Sequence, residues 1–165
     1  MNTRRTLLLA GLGGSAATAA GLFSRWAVAA PSSEVFEVSR TDAEWRAKLS
    51  QPQYDVLRHE GTEWPNSSPL NTEHRNGTFS CAGCGLALFS SKTKFESGTG
   101  WPSFWKPLDR AVIERQDRTL GMLRTEVHCR RCGGHLGHVF DDGPKPTGLR
   151  YCMNGVALSF APQAS

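Results

Sequence analysis

Residues 129–140, CRRCGGHLGHVF, decide the fold because they join a cysteine pair to a strand-like segment. Cys129 and Cys132 stand three positions apart and are followed by two glycines, and residues 81–85, CAGCG, repeat the arrangement. Two thiolates at this spacing can reach one metal ion, and glycine lets backbone N–H groups approach the sulfurs. The two pairs therefore predict a closed four-thiolate shell of the structural zinc type. Its ligands are Cys81, Cys84, Cys129 and Cys132.

Other uses of these cysteines remain open at this point. An exported protein could form two disulfides from them. A redox-active pair is also conceivable, although neither pair has the βαβ surroundings of a thioredoxin. A metal could instead bind Cys129, Cys132, His135 and His138, but this choice leaves the first cysteine pair without a partner. We prefer the four-cysteine shell, with a sheet formed by the residues that separate the two pairs.

Two short helices are predicted before the first cysteine pair. A Thr-x-x-Glu capping box at residues 41–44 predicts a helix through Leu49, and a Ser-x-x-Gln box at residues 50–53 predicts another to about His59, near a glycine. The polar residues 61–76 contain two prolines and predict a loop.

Short strands separated by turns are predicted from Gly77 onward. The segments are GTFSC, LALF, KFESG, HLGHVF and RYCMNGVALSF, with a hairpin over residues 111–127 that turns near residues 119–121. Between them, residues 98–105, GTGWPSFW, form a Gly- and Pro-rich turn with clustered aromatic rings. Such rings, Trp101 among them, could either bind an apolar group of a ligand or pack into the core at the end of a sheet.

Cys152 is the cysteine outside both pairs, in the segment RYCMNG. A lone cysteine is often inert packing, but an unpaired thiol in an exported protein favours a functional role. Nearby cations lower the pKa of a thiol, and Arg150 lies two residues away on the same face of the predicted strand. Asn154, two residues further on, can donate or accept hydrogen bonds. The sequence therefore predicts a nucleophile at Cys152.

Two histidines, His135 and His138, follow the second cysteine pair. Histidine titrates near neutral pH and can deliver a proton to a departing oxygen. Core or surface packing is the alternative, but two histidines in one segment tied to a metal site favour a role in catalysis.

The N-terminal residues have the composition of an export signal. Residues 1–29 contain Arg4-Arg5, a weakly apolar run and the small-x-small sequence Ala27-Val28-Ala29, which is typical of a twin-arginine signal peptide. We predict cleavage after Ala29, export to a bacterial periplasm and an extended leader over residues 30–40. The alternatives are a cytoplasmic protein with a basic N-terminus and an uncleaved membrane anchor, although the run is rich in small and polar residues.

The charge of the remaining chain argues against a nucleic-acid partner. The whole chain has a net charge of +4, from 19 basic and 15 acidic residues. Three of the basic residues lie in residues 1–29, so 16 basic residues remain against 15 acidic residues, or +1. We also expect that the protein does not insert stably into a membrane after signal cleavage. We expect the protein to be a monomer.

The chain resembles the methionine-R-sulfoxide reductases of the B type from about Trp45 to Phe160. The segments that carry the resemblance are, in order, GTEWP, CAGCG, KFESGTGWPSF, CRRCGGHLGHVFDDGP and RYCMNGVALSF. The resemblance implies a mainly β fold of two packed antiparallel sheets with short N-terminal helices and a structural zinc, within a domain of residues 41–165. It also implies reduction of the R epimer of methionine sulfoxide, mainly in oxidised proteins.

The resemblance further implies a role for each site residue. Cys152 would attack the sulfoxide sulfur, His135 and His138 would hold and protonate its oxygen, and Asn154 would complete the polar network. Trp101 would pack against the substrate methyl group. Phe140 and Arg150 are assigned with Trp101 to the substrate site.

One departure from the family concerns the recycling of Cys152. Many members carry a second cysteine before Gly-Trp-Pro, whereas this chain has Thr99 there. We therefore expect an external thiol, from a thioredoxin-like protein or a small molecule, to reduce Cys152. The rival interpretations are a zinc-binding recognition domain without catalysis and a metal-free, disulfide-linked secreted domain.

Overall fold

The computed structural model describes residues 35–118, 121 and 123–164. The predicted signal peptide, residues 1–29, lies outside the described residues, as do the first residues of the predicted leader. Residues 35–40 form neither helix nor strand, and the Val38 N–H donates to the Arg131 carbonyl at 2.9 Å. This bond fastens the described end of the leader beside the second cysteine pair.

Both predicted helices are present in the described residues, as α1, Asp42–Lys48, and α2, Gln51–His59. Each begins with a complete capping box, in which the cap side chain and the third helical residue bond to each other's backbone N–H. The left-handed residue that ends α2 is Glu60, with φ of 56°, one position before the glycine that was expected to mark this end.

Nine strands follow within the described residues. They are β1, Gly77–Cys81; β2, Ala87–Ser90; β3, Lys94–Phe95; β4, Ser103–Phe104; β5, Val112–Asp117; β6, Arg124–Cys129; β7, His135–Phe140; β8, Arg150–Met153; and β9, Leu158–Pro162.

These strands form two antiparallel sheets, as predicted. One has three strands in the order β2-β1-β9, and the other has six in the order β3-β4-β8-β7-β6-β5. The fold is therefore mainly β, with the two helices at the N-terminal side of the sequence. The central strands β8 and β7 of the larger sheet carry Cys152 and the two predicted histidines.

An aromatic cluster joins the two sheets. Phe79 of β1 and Phe89 of β2 come from the small sheet, and Phe104 of β4 comes from the large one; all three are fully buried. The rings of Phe89 and Phe104 stack at 4.4 Å, and those of Phe79 and Phe104 meet edge to face at 4.9 Å. Burial of these rings supplies apolar contact that holds one sheet against the other.

The structure differs from the sequence prediction where tertiary pairing outweighs local composition. The KFESG segment forms a strand only over β3, and the predicted loop at residues 61–76 includes a short 3₁₀ helix, Pro69–Thr72. The sequence did not predict β4, which lies in a Gly- and Pro-rich turn and exists because it pairs with β8.

Across the described residues, every helix is too short or too polar to traverse a bilayer.

Candidate active site

The two cysteine pairs form turns with the same hydrogen bonds. The Cys81 N–H donates to the Leu86 carbonyl at 2.8 Å, and the Cys129 N–H donates to the Gly134 carbonyl at 2.8 Å. The glycine that follows each pair returns a 2.8 Å bond to the first cysteine's carbonyl. These glycines, Gly85 and Gly133, have φ of 73° and 68°, a conformation that costs glycine little. The repeated turn aims both sulfurs of each pair in one direction.

The four sulfurs form one compact cluster. The Cys81 and Cys132 sulfurs lie 3.7 Å apart, the Cys84 and Cys129 sulfurs lie 3.5 Å apart, and all four lie within 4.8 Å of one another. A tetrahedral zinc with bonds of about 2.3 Å separates its sulfurs by about 3.8 Å, so the cluster fits this ion. The two-disulfide alternative is wrong, because a disulfide needs sulfurs about 2 Å apart.

The helices cover the metal site with apolar side chains. Trp45 of α1 and Leu57 of α2 are buried, and both approach the backbone of Gly83 within the first cysteine turn. A Cβ at Gly83 would lie 3.6 Å from each of them and 3.6 Å from the Cys81 sulfur. The packed helices thus shield the thiolates from water and from competing ligands.

A β-bulge places both histidines on one face of the large sheet. Val127 pairs with Gly137 and His128 pairs with His135, so Leu136 is an extra residue on β7. In an unbroken strand, residues three apart would face opposite sides. The bulge instead turns His135 and His138 to the same side, with ring centres 5.5 Å apart. The histidines therefore do not complete the alternative metal shell with Cys129 and Cys132.

Cys152 lies in the centre of this face. It pairs with Ser103 of β4 on one side and with His138 of β7 on the other. Residues directly opposite in neighbouring strands project to the same face, so all three side chains share it. The backbones approach closely here: a Cβ at Gly137 would lie 2.1 Å from the Cys152 carbonyl oxygen, which requires glycine at this position.

A cavity of about 160 Å³ opens above Cys152. This volume holds a group of several non-hydrogen atoms. The lining residues are Thr62, Trp101, Arg124, Gly137, His138, Phe140, Cys152 and Asn154. Two predicted site residues, His135 and Arg150, are not part of this lining.

The apolar walls of the cavity are fixed in place by polar contacts outside it. The Trp101 Nε1–H donates to the Glu63 carbonyl at 3.2 Å. The Arg150 guanidinium lies 4.4 Å from the Phe140 ring centre, and two hydrogen bonds of 2.8 Å hold it on Asp142. Arg150 thus supports the Phe140 wall from behind while also lying near the Cys152 sulfur.

Asn154 joins three segments around the cavity. Its Oδ1 accepts from the Glu63 N–H at 3.0 Å, and its Nδ2 donates to the Leu136 carbonyl of the bulge at 3.1 Å. The Glu63 carboxylate in turn accepts from the Gly155 and Val156 N–H groups. Asn154 therefore links the loop that contains Glu63, the hydrogen-bond partner of Trp101, to the bulge at Leu136.

Each histidine of the site contacts a carboxylate. His138 Nε2 lies 3.0 Å from Asp117 Oδ2, to which Arg124 also donates at 2.6 Å. His135 Nδ1 lies 2.5 Å from Glu126 Oε1. Burial lowers the pKa of His135 to about 4, although Glu126 opposes the shift, so this imidazole is neutral at pH 7.

The Cys152 thiol contacts hydroxyl groups as well as the arginine. Thr99 Oγ1 lies 3.8 Å from its sulfur and 2.8 Å from Ser97 Oγ, which bonds to Ser103 Oγ at 2.7 Å. Burial raises the pKa of Cys152, and the opposing effects of Thr99 and Arg150 are smaller. The sequence predicted a lowered pKa because a neighbouring cation is visible in a sequence whereas desolvation is not.

A known domain matches this chain: residues 49–162 fit the SelR domain, which spans both sheets and the cavity. The chain belongs to the SelR family. Several curated relatives carry the name peptide methionine sulfoxide reductase MsrB. The protein from Thiobacillus denitrificans is 58% identical over 125 residues, which cover 75% of this chain and 95% of the relative. The protein from Leptospira interrogans is 52% identical over 126 residues, 76% of this chain and 96% of the relative.

Sequence reasoning missed several residues of this SelR site. Thr62 and Glu63 lie in the GTEWP segment, which was quoted but given no role, and Glu126 lies three residues before the second cysteine pair. Asp117 and Arg124 come from the ends of a hairpin and have no local pattern that marks them. Only strand pairing brings these charges to the histidines.

Replacing Cys84 with Ser should empty the metal site of this SelR protein. Wild type should hold about one zinc ion per chain. Cys84→Ser should lose the ion and more than about 4 kcal/mol of unfolding free energy, because three thiolates cannot close the shell. Metal analysis and denaturant titration measure both quantities. Cys152→Ser is the matched control and should retain zinc, and a Cys84→Ser protein with full zinc and stability would contradict the four-cysteine site.

Proposed function

We propose that this protein reduces methionine-R-sulfoxide to methionine, with Cys152 as the nucleophile and protein-bound methionine as the main substrate. The observation that carries the proposal is the position of the Cys152 thiol, directly opposite His138 and within an apolar-walled cavity. Family membership and the names of the relatives support the reaction. The cavity contributes the arrangement of nucleophile, acid and apolar wall that the reaction needs.

The proposed chemistry transfers one oxygen atom and two electrons. The Cys152 sulfur attacks the sulfoxide sulfur while a histidine protonates the sulfoxide oxygen, which is otherwise a poor leaving group. This attack forms an S–S bond between Cys152 and the substrate. The S–S bond and the substrate S–O bond then break as an S–O bond to Cys152 forms. Cys152 becomes a sulfenic acid, and the substrate sulfur is reduced to the thioether of methionine. No proton is gained or lost overall, because the thiol hydrogen is balanced by the sulfenic acid hydrogen.

Substrate orientation follows from the two sides of the cavity. The methyl group on sulfur is small and apolar, and it fits against Trp101 and Phe140. The oxygen must then face the histidine side, next to His138. With the methyl group and the oxygen fixed, the third substituent leaves the cavity in only one of the two epimers, so the site selects for chirality at sulfur.

The burial of Cys152 is compatible with this chemistry. A thiol with a raised pKa is mostly protonated at neutral pH, so its nucleophilic form is generated when substrate and acid are in place. The Thr99 hydroxyl and the Arg150 guanidinium are the groups positioned to stabilise the thiolate when it forms. Zinc is structural in this scheme and ties the two cysteine turns together.

Activity on separate sulfoxide epimers tests the proposal. With dithiothreitol and a blocked methionine sulfoxide, wild type should reduce the R epimer and leave the S epimer unchanged. Cys152→Ser should lower the rate by about a thousandfold or more, because no other thiol lies in the cavity. Chromatography of the product measures both rates. Zinc-loaded, folded wild type that reduces neither epimer would instead favour a recognition domain without catalysis.

We also propose that an external thiol returns Cys152 to its reduced state. Position 99 holds a threonine, and the other four thiols of the described residues lie in the metal cluster. A first external thiol would form a mixed disulfide with Cys152 and release water from the sulfenic acid. A second thiol would then release reduced Cys152 and an external disulfide. A thioredoxin-like protein or a small thiol can supply both.

A single turnover without reductant tests this recycling route. Wild type should accumulate a Cys152 sulfenic acid that dimedone traps, with no disulfide to another cysteine of the chain. Thr99→Cys should form a disulfide between position 99 and Cys152 and lose dimedone labelling, since the Thr99 oxygen already lies 3.8 Å from the sulfur. Peptide mapping by mass spectrometry reads both results. An intramolecular disulfide to Cys152 in wild type would contradict the external route.

Finally, we propose that the protein is exported by the twin-arginine pathway and repairs oxidised exported proteins. The support is the arginine pair and the small-residue cleavage sequence. The exported form should begin at Ala30, and replacing Arg4 and Arg5 together with lysine should retain the protein in the cytoplasm. Mass spectrometry of the periplasmic fraction measures the N-terminus, and exported protein that still carries residues 1–29 would argue against cleavage after Ala29.

A further inference from the structure

A buried cluster of Glu126, His128 and His135 lies between the second cysteine turn and the cavity. Their ligand-type atoms lie within 4.8 Å of one another on neighbouring strands β6 and β7. His135 does not line the cavity, but its ring centre lies 5.5 Å from that of His138, which does. The proposed reaction so far assigns no role to Glu126 or His128.

The contact between Glu126 and His135 fixes where the imidazole proton lies. Burial opposes ionisation of Glu126, yet its contacts with His128 and His135 leave its pKa below the ordinary value, so it is a carboxylate at neutral pH. A carboxylate can only accept hydrogen bonds. His135 Nδ1, at 2.5 Å from Oε1, must therefore carry the proton. In the neutral ring, Nε2 then bears a lone pair.

The Nε2 atom of His135 is the ring nitrogen that can still accept a hydrogen bond in the reaction. It is buried and has no hydrogen-bond partner among the side chains and backbone of the described residues. A buried imidazole nitrogen without a partner is costly unless water or a ligand supplies one. A hydroxyl on the reacting oxygen, or a water bound with it, would satisfy this lone pair.

His128 lies on the opposite side of the carboxylate. Its Nε2 lies 2.9 Å from Glu126 Oε2, and its Nδ1 donates to the Gly133 carbonyl at 3.0 Å. Gly133 follows Cys132 directly, so the metal turn fixes the position of His128. The contacts run from the metal turn through His128 and Glu126 to His135.

We propose that Glu126 is a positioning residue that fixes His135 in the Nδ1–H tautomer, so that its Nε2 accepts a hydrogen bond from the hydroxyl formed on the substrate oxygen. This inference rests on the proposed reductase function. A ring that presents only a lone pair at Nε2 cannot supply the proton from that atom, so His135 is not the proton donor. Glu126 acts on the reaction only through His135.

Long-range ¹H–¹⁵N spectra of zinc-loaded protein labelled on histidine nitrogen test the tautomer directly. In wild type at pH 7, His135 should show a protonated Nδ1 and an unprotonated Nε2. In Glu126→Ala the ring loses its acceptor and should show a mixture of tautomers or the Nε2–H form. A wild-type His135 protonated at Nε2 would overturn the proposal, whether or not the variant folds.

Kinetics separate positioning from a merely structural role. In Glu126→Ala, kcat for the R epimer should fall about tenfold or more with KM changed less than about twofold, and Glu126→Gln should restore part of kcat because its amide oxygen still accepts from Nδ1. Glu114→Ala is the matched control, since this carboxylate on β5 contacts Tyr151 and no histidine of the site. It should keep kcat within about twofold.

The outcomes distinguish this inference from the proposed function. If wild type reduces the R epimer and folded, zinc-loaded Glu126→Ala does so at an unchanged kcat, the positioning role is wrong and the reductase function stands. An equal loss of kcat in Glu114→Ala and Glu126→Ala would also overturn it, because the loss would then reflect general weakening of the sheet. If wild type reduces neither epimer, the reductase function itself fails.

Discussion

The four-sulfur cluster is the constraint on which the rest of the structure depends. It joins two turns that are far apart in the chain, one after β1 and one after β6. Their sulfurs, 3.5 and 3.7 Å apart in two pairs, are spaced as the ligands of a tetrahedral zinc would be. The two turns carry the same hydrogen bonds because each must direct two sulfurs toward the same point.

The position of the active site follows from this cluster within a few residues. Strand β7 begins three residues after Cys132, and its bulge turns both histidines to one face of the large sheet. Strand β8 pairs with β7 so that Cys152 lies opposite His138. Because the second cysteine turn leads directly into β7, the position of this turn also sets the position of the histidines relative to the Cys152 thiol.

Burial sets the charge state of the reacting groups. It raises the pKa of Cys152 and lowers that of His135, so both groups are neutral in the substrate-free protein. The full charges close to these two groups belong to neighbouring side chains. Arg124 lines the cavity, and the carboxylates of Asp117 and Glu126 contact the histidines. In the proposed reaction, these side chains and the hydroxyl groups near Cys152 can stabilise the charge that develops.

The sequence by itself determined the features that depend on local spacing. The capping boxes predicted α1 and α2, and the Cys-x-x-Cys-Gly spacing predicted the two cysteine turns and their four-sulfur cluster. Local spacing is visible in a sequence because the residues that interact are neighbours. Tertiary structure alone decided the pairing of β4 with β8, the bulge at Leu136 and the carboxylate partner of each histidine. These depend on strand register and desolvation, which arise only when distant segments pack together.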